Sequence, residues 1–160
     1  MGLPAATVVL ALRAKGFSDT TLDIVGRQGW GDDCRMLKTI PGVRLHGYQP
    51  AELVRQFLDD ADLFICTSHD EGLGLPLLEA QYAGLPIVAP DAPIFREVLG
   101  LSGIYVDPAA PAAAATRIVA ALSNAEWRAR YVALAEQNLR RWNGLAGGDR
   151  RPRAAGKGVF

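Results

Sequence analysis

The chain has 160 residues, 49% of them apolar and 21% charged, which is enough to bury one core and lies in the range of a single domain. Seventeen basic residues balance seventeen acidic ones, so the overall charge gives no footprint for nucleic acid, and no run approaches the roughly 18–20 apolar residues that span a bilayer. Two cysteines, Cys34 and Cys66, are too few for a disulfide framework, and the opening residues lack the positive segment of a secretory signal, so a cytoplasmic setting is expected.

After an apolar segment at 5–14 (AATVVLALRA), strand-like runs recur at 21–26 (TLDIVG), 43–47 (VRLHG), 61–68 (ADLFICTS), 85–89 (LPIVA) and 103–107 (GIYVD). Helical patterns lie between them. The clearest is 50–61, where Leu53, Val54, Phe57, Leu58 and Ala61 share one face while Glu52, Arg55 and Asp59 face away. Strand and helix alternating in this way predict an α/β fold, a Rossmann-like parallel sheet flanked by helices in one domain. Two further helices are expected at about 111–122 and 125–142. The domain is expected to cover residues 1–142. Residues 143–160 form a basic, Gly-rich tail without apolar periodicity, expected to be disordered. From residue 140 onward six basic side chains meet a single acid, Asp149, so this end is +5 and the remaining 139 residues are −5. That acidic body is a further reason to expect no nucleic-acid partner.

The densest chemistry lies at 69–80 (HDEGLGLPLLEA), directly after the apolar run 61–68. A parallel strand leading into such a turn puts it at the carboxyl edge of the sheet, where α/β folds bind ligands. Pro76, expected at the first helical position, leaves the neighbouring amides of Leu75, Leu77 and Leu78 free for an anion. Gly72 and Gly74 let the backbone come close to a phosphate. Glu79, expected in the first helical turn, can accept two hydrogen bonds from the vicinal hydroxyls of a ribose. A glutamate there also steadies its own helix dipole by about 0.3–1 kcal/mol, a sufficient structural reason for it. His69 either meets a sugar hydroxyl or caps a loop, His46 sits in a strand as a structural residue, and Cys66 reads as a small buried hydrophobe. No HExxH motif, carboxylate cluster or Ser-His-Asp order appears, so metal hydrolysis and acyl transfer have no support.

EGLGLPLLEA resembles the E-x7-E motif of the family 4, or group 1, retaining glycosyltransferases, with Glu71 and Glu79 at the acidic positions. LDIVG, VRLHGY, the helix ending in ADLFICTS, AGLPIVAPDAPIFREVL and GIYVDP are similar, in the same order, to successive blocks of that family's C-terminal donor-binding domain, over roughly residues 5–123. The resemblance implies half of a GT-B architecture. It makes the chain the donor half of an enzyme that moves a hexose from a UDP- or GDP-linked sugar to a glycan or lipid acceptor, as in polysaccharide biosynthesis, without metal or other cofactor. It places Glu71 beside the transferred sugar, Glu79 on the ribose, and the backbone of Gly72, Leu73, Gly74 and Leu75 along sugar and diphosphate. Tyr48 matches a position whose backbone meets the base, and Gly26 is a further candidate. The partner it implies is an acceptor domain or chain, with any membrane contact, at the inner face, made through the acceptor.

The chain also departs from that pattern. The family's first strand, with the Arg and Lys beyond it that bind the diphosphate, has no counterpart; Arg13 and Lys15 fall in the following helix and Arg27 after another strand. In the strand order 3-2-1-4-5-6 the absent strand is central. The strands at 21–26 and 61–68 are expected to close up and pair directly, with 7–12 (TVVLAL) helical, the alternative being that 7–12 itself enters the sheet. The competing functional readings are a non-catalytic nucleotide-sugar-binding module or truncated fragment, and a flavodoxin-type domain with no sugar role.

Overall fold

The computed structural model describes residues 3–26, 32–67 and 75–145. Helices and strands alternate as α1 Leu3–Ala14, β1 Leu22–Val25, α2 Asp32–Thr39, β2 Val43–Gly47, α3 Ala51–Asp60, β3 Phe64–Ile65, α4 Leu75–Tyr82, β4 Ile87–Pro90, α5 Pro93–Leu99, β5 Gly103–Val106, α6 Pro111–Leu122 and α7 Trp127–Leu145. All strand pairs are parallel. The fold is the expected Rossmann-like α/β arrangement. Residues 146–160, on which the tail expectation falls, lie outside the described residues.

Residues 7–12 are helical, as expected. Ala5, Ala6, Val8, Val9 and Leu12 are buried, a spacing of three and four that one helix face satisfies and an alternating strand would not. The direction of α1 is fixed at both ends. Its first turn, at Pro4 and Thr7, lines one surface depression with Pro108 and Pro111, just past the carboxyl end of β5. At its last turn Arg13 donates to the carbonyls of Thr20 and Pro41, which precede β1 and β2. Helix α1 therefore runs antiparallel to the strands.

The expected closure of the sheet does not occur. Strand β1 pairs with β2, Leu22 opposite Val43, and β3-β4-β5 forms a second sheet, Phe64 opposite Ile87 and Ile87 opposite Gly103; β1 and β3 are not partners. With a ladder on one side only, β3 shrinks to Phe64 and Ile65, where the sequence predicts 61–68, and both residues are half-buried instead of fully buried. Cys66, just beyond, is buried as expected.

Helices cover both faces of this layer. Val8 and Leu12 of α1 pack with Val88, Ile104 and Ile118, while Ala5, Ala6 and Val9 of the same helix pack with Leu22 and Leu37, so α1 spans both sheets on one face. On the other face Leu77, Leu85, Ile87, Phe95 and Leu99 form the densest core, with Leu58 and Trp142 against it. Helix α7 is tied there by polar contacts: Asn138 donates to Gln81 Oε1 (2.9 Å) and the Val98 carbonyl (2.8 Å), and Trp142 Nε1 donates to the same carbonyl (2.8 Å).

Candidate functional site

The strands all point their carboxyl ends to the edge where α1 begins, which puts Gly26, Tyr48 and the start of α4 along one rim. Gly26 has φ 131° and Gly47 φ 68°, conformations that glycine adopts without steric cost. The Gly26 N–H donates to the Gly47 carbonyl at 2.8 Å and so joins the ends of β1 and β2. A Cβ built on Gly26 would meet nothing within 4 Å, so open space lies above this corner and the glycine is there for its backbone angles. Tyr48, one residue on, is 77% exposed. The turn is braced from below: Gln49 Nε2 donates to the His46 carbonyl (2.6 Å), the His46 ring lies 4.4 Å from the Phe57 ring, and His46 Nε2 is 2.7 Å from Asp23 Oδ1. His46 is thus a strand residue in a structural contact, as the sequence suggests.

Helix α4 begins at Leu75, so Pro76 is its second residue, not its first. Leu77, Ala80 and Gln81 face the core, and Gln81 donates to the Ser102 hydroxyl, which in turn donates to the Leu99 carbonyl (2.6 Å). This fixes the rotation of the helix. Glu79 is left half-buried in the second turn, not in the first as the sequence suggests, so the helix-dipole explanation for it loses force. Loss of water raises the Glu79 carboxyl above the usual carboxylate range. Among the described residues no cation or hydrogen-bond donor contacts it. A partly desolvated carboxylate without a protein donor is suited to accept hydrogen bonds from a ligand's hydroxyls. Of the other residues singled out in the sequence, His69, Glu71, Gly72, Leu73 and Gly74 lie outside the described residues, and Leu75 is described only through its backbone as the start of α4.

One cluster on this rim was not foreseen. Past β4, Arg96 Nε and Nη2 donate to the two oxygens of Asp91 (2.6 and 2.9 Å), and the guanidinium lies 4.5 Å from the Tyr105 ring centre. The Arg96 hydrogen bond holds the Asp91 carboxyl below its ordinary range. The signal was the acid and base flanking a proline-started helix, five positions apart. With its charges mutually satisfied, the pair reads as a brace for the β4–α5 turn. No group of three or more His, Cys, Asp or Glu side chains suited to a metal occurs among the described residues. None of the helices among those residues is long and apolar enough to cross a membrane.

Comparison with known proteins agrees with this geometry. The family described as Glycosyl transferases group 1 matches residues 5–124. The O-antigen chain mannosyltransferase B of Escherichia coli is 34% identical over 125 residues, covering 72% of this chain and 33% of that protein. The phosphatidyl-myo-inositol mannosyltransferase of Mycobacterium leprae is 34% identical over 134 residues, covering 79% and 35%. Among solved structures, the pneumococcal O-GlcNAc transferase GtfA in complex with UDP and GlcNAc superposes with a TM-score of 0.64 at 22% identity, over 90% of this chain and 32% of that one. TarM gives 0.63 at 23%, over 91% and 32%. The chain spans about a third of the length of these relatives. It belongs to the group 1, or family 4, glycosyltransferases and has the Rossmann-like fold of a GT-B domain.

Proposed function

We propose that this chain is the donor-binding part of a glycosyltransferase that takes a nucleoside-diphosphate hexose and passes the sugar, with retention and without a metal ion, to a glycan or lipid acceptor. The observation that carries the reading is Glu79: a half-buried carboxylate, raised by desolvation, with no donor among the described residues, on the helix that follows β3. Its role is to take the two ribose hydroxyls. Glu71 acts beside the transferred sugar, and the amides of Gly72, Leu73, Gly74 and Leu75 receive the diphosphate as its charge develops. Tyr48 and Gly26 border the base. Membership of a family whose relatives include two mannosyltransferases, and a fold shared with a transferase crystallised with UDP, support the substrate class. Turnover requires an acceptor-binding part, supplied by another domain or chain, in keeping with the third of the relatives' length that this chain spans.

Thermal shift against a panel of UDP- and GDP-sugars tests this reading, since a ligand that prefers the folded form raises the melting temperature. At 100 times its Kd a donor adds about 2.7 kcal/mol, a rise of several degrees. No shift with any nucleotide or nucleotide sugar at millimolar concentration would refute it.

A further inference from the structure

The split between the two sheets is an unfilled strand position. Phe64 and Cys66 donate their N–H groups to Pro86 and Val88 of the β4 side (2.9 and 2.8 Å), so the main chain of Ile65 between them points the other way. On the facing sheet, Leu22 and Gly26 donate to Gly42 and Gly47 of the β2 side (2.9 and 2.8 Å), so Asp23 and Val25 point away from β2. Among the described residues these three have no main-chain partner on that side, although Val25 and Ile65 are half-buried. Half-buried amides left in this way cost stability until something pairs them.

A second observation points to the same gap. Helix α3 joins β2 to β3 and so crosses the split on the face opposite α1. It carries a clear apolar stripe, yet none of its residues is buried: Val54, Phe57 and Leu58 are half-covered and Leu53 is 39% exposed. Amphipathic helices on parallel sheets normally bury that stripe. The layer that should lie beneath it is the one the split omits.

We propose that the gap between β1 and β3 is a docking slot for one further β-strand, contributed by polypeptide outside these 160 residues that leads into α1. The occupant is about four residues long, to match β1, and apolar and β-branched on both faces because α1 covers one and α3 the other. It is free of proline, since both its edges carry a ladder. It runs parallel to its neighbours: α1 starts at the carboxyl edge, and a strand joined to it by a short loop must arrive there. Its carboxyl end then lies between Gly26 and Cys66, so the strand that completes the sheet also delivers its following loop to the rim that holds the candidate site. The inference does not depend on the sugar-nucleotide reading.

Hydrogen exchange by NMR on the 160-residue chain, and on the same chain carrying an N-terminal extension, tests the slot. One extension is a Val/Thr strand with a short Gly-Ser loop, the other the same length with two prolines in the strand. In the unextended chain the amides of Asp23, Val25 and Ile65 are expected to exchange at least about 100-fold faster than those of β4. The Val/Thr extension is expected to slow them about 100-fold and raise Tm by about 5–10 °C, and the proline extension to do neither. Strong protection of these amides in the unextended monomer would overturn the proposal, as would a Val/Thr extension that leaves them fast. Protection that appears only with dimerisation, read by light scattering, would overturn the stated occupant and give the slot to a second copy.

Discussion

The Gly26 N–H donates to the Gly47 carbonyl at 2.8 Å, and through this bond the ends of β1 and β2 form one corner beneath the exposed Tyr48. Both glycines hold positive φ, at 131° and 68°. A side chain at φ 131° is strained even though a Cβ there has room, so Gly26→Ala is expected to cost about 1–3 kcal/mol. Gly47→Ala, in the left-handed region, should cost about 1–2 kcal/mol. Urea denaturation checks both. Equal stability of Gly26→Ala and wild type would show that the corner relaxes freely and is not a fixed part of the rim.

Glu79 gives a prediction with a definite sign. Its carboxyl is raised in the folded chain by loss of water, so the folded state holds its proton to higher pH than the unfolded state. Stability from this group is therefore greatest below the ordinary carboxylate pKa and falls as pH rises through the raised folded value. Replacing it with the neutral isostere removes that loss. Because the side chain is only half-buried and solvent screens much of the effect, Glu79→Gln should raise Tm at pH 7 by no more than about 1–3 °C, with the difference vanishing near pH 4. A drop in Tm at pH 7 would mean that the carboxylate is held by protein donors, and its proposed place in the site would fail.

The legibility of the chain in its sequence divides along the same lines. Strands at 43–47 and 103–107 and the helix at 111–122 are found within a residue of expectation, because their apolar patterns are closed by turn residues such as Gly42, Asp107 and Pro111. The helical state of residues 7–12 could be read against their β-branched composition, since the buried positions fall three and four apart. The failure to close between 21–26 and 61–68 could not. Pairing depends on what lies beside a strand, and sequence periodicity reports only what lies above and below it. Glu79 was found by its spacing from Glu71, but its turn of the helix was misjudged because α4 starts at Leu75, ahead of the proline taken as the marker.

Asn138 is the polar tie that sequence reading passed over. It is 6% exposed, and its amide donates to Gln81 Oε1 and to the Val98 carbonyl, so it locks α7 to α4 and α5 together. Asn138→Leu would leave both acceptors buried and unpaired, at a cost of about 1–3 kcal/mol for each group not rescued by water. Since the same network sets the rotation of α4, the substitution should weaken nucleotide binding as well. Thermal unfolding and calorimetry on one preparation separate the two effects. A destabilised variant with unchanged affinity would show that α4 is positioned without α7.

The most direct test of the central claim is a titration cycle on the ribose. UDP and GDP, each with its 2′,3′-dideoxy counterpart, are measured by calorimetry against wild type and Glu79→Ala. If Glu79 receives the two hydroxyls, wild type prefers the ribose form by about 10–100-fold, the worth of one charged hydrogen bond, and the variant binds both forms alike. An equal preference in wild type and variant would contradict the account and remove Glu79 from the site.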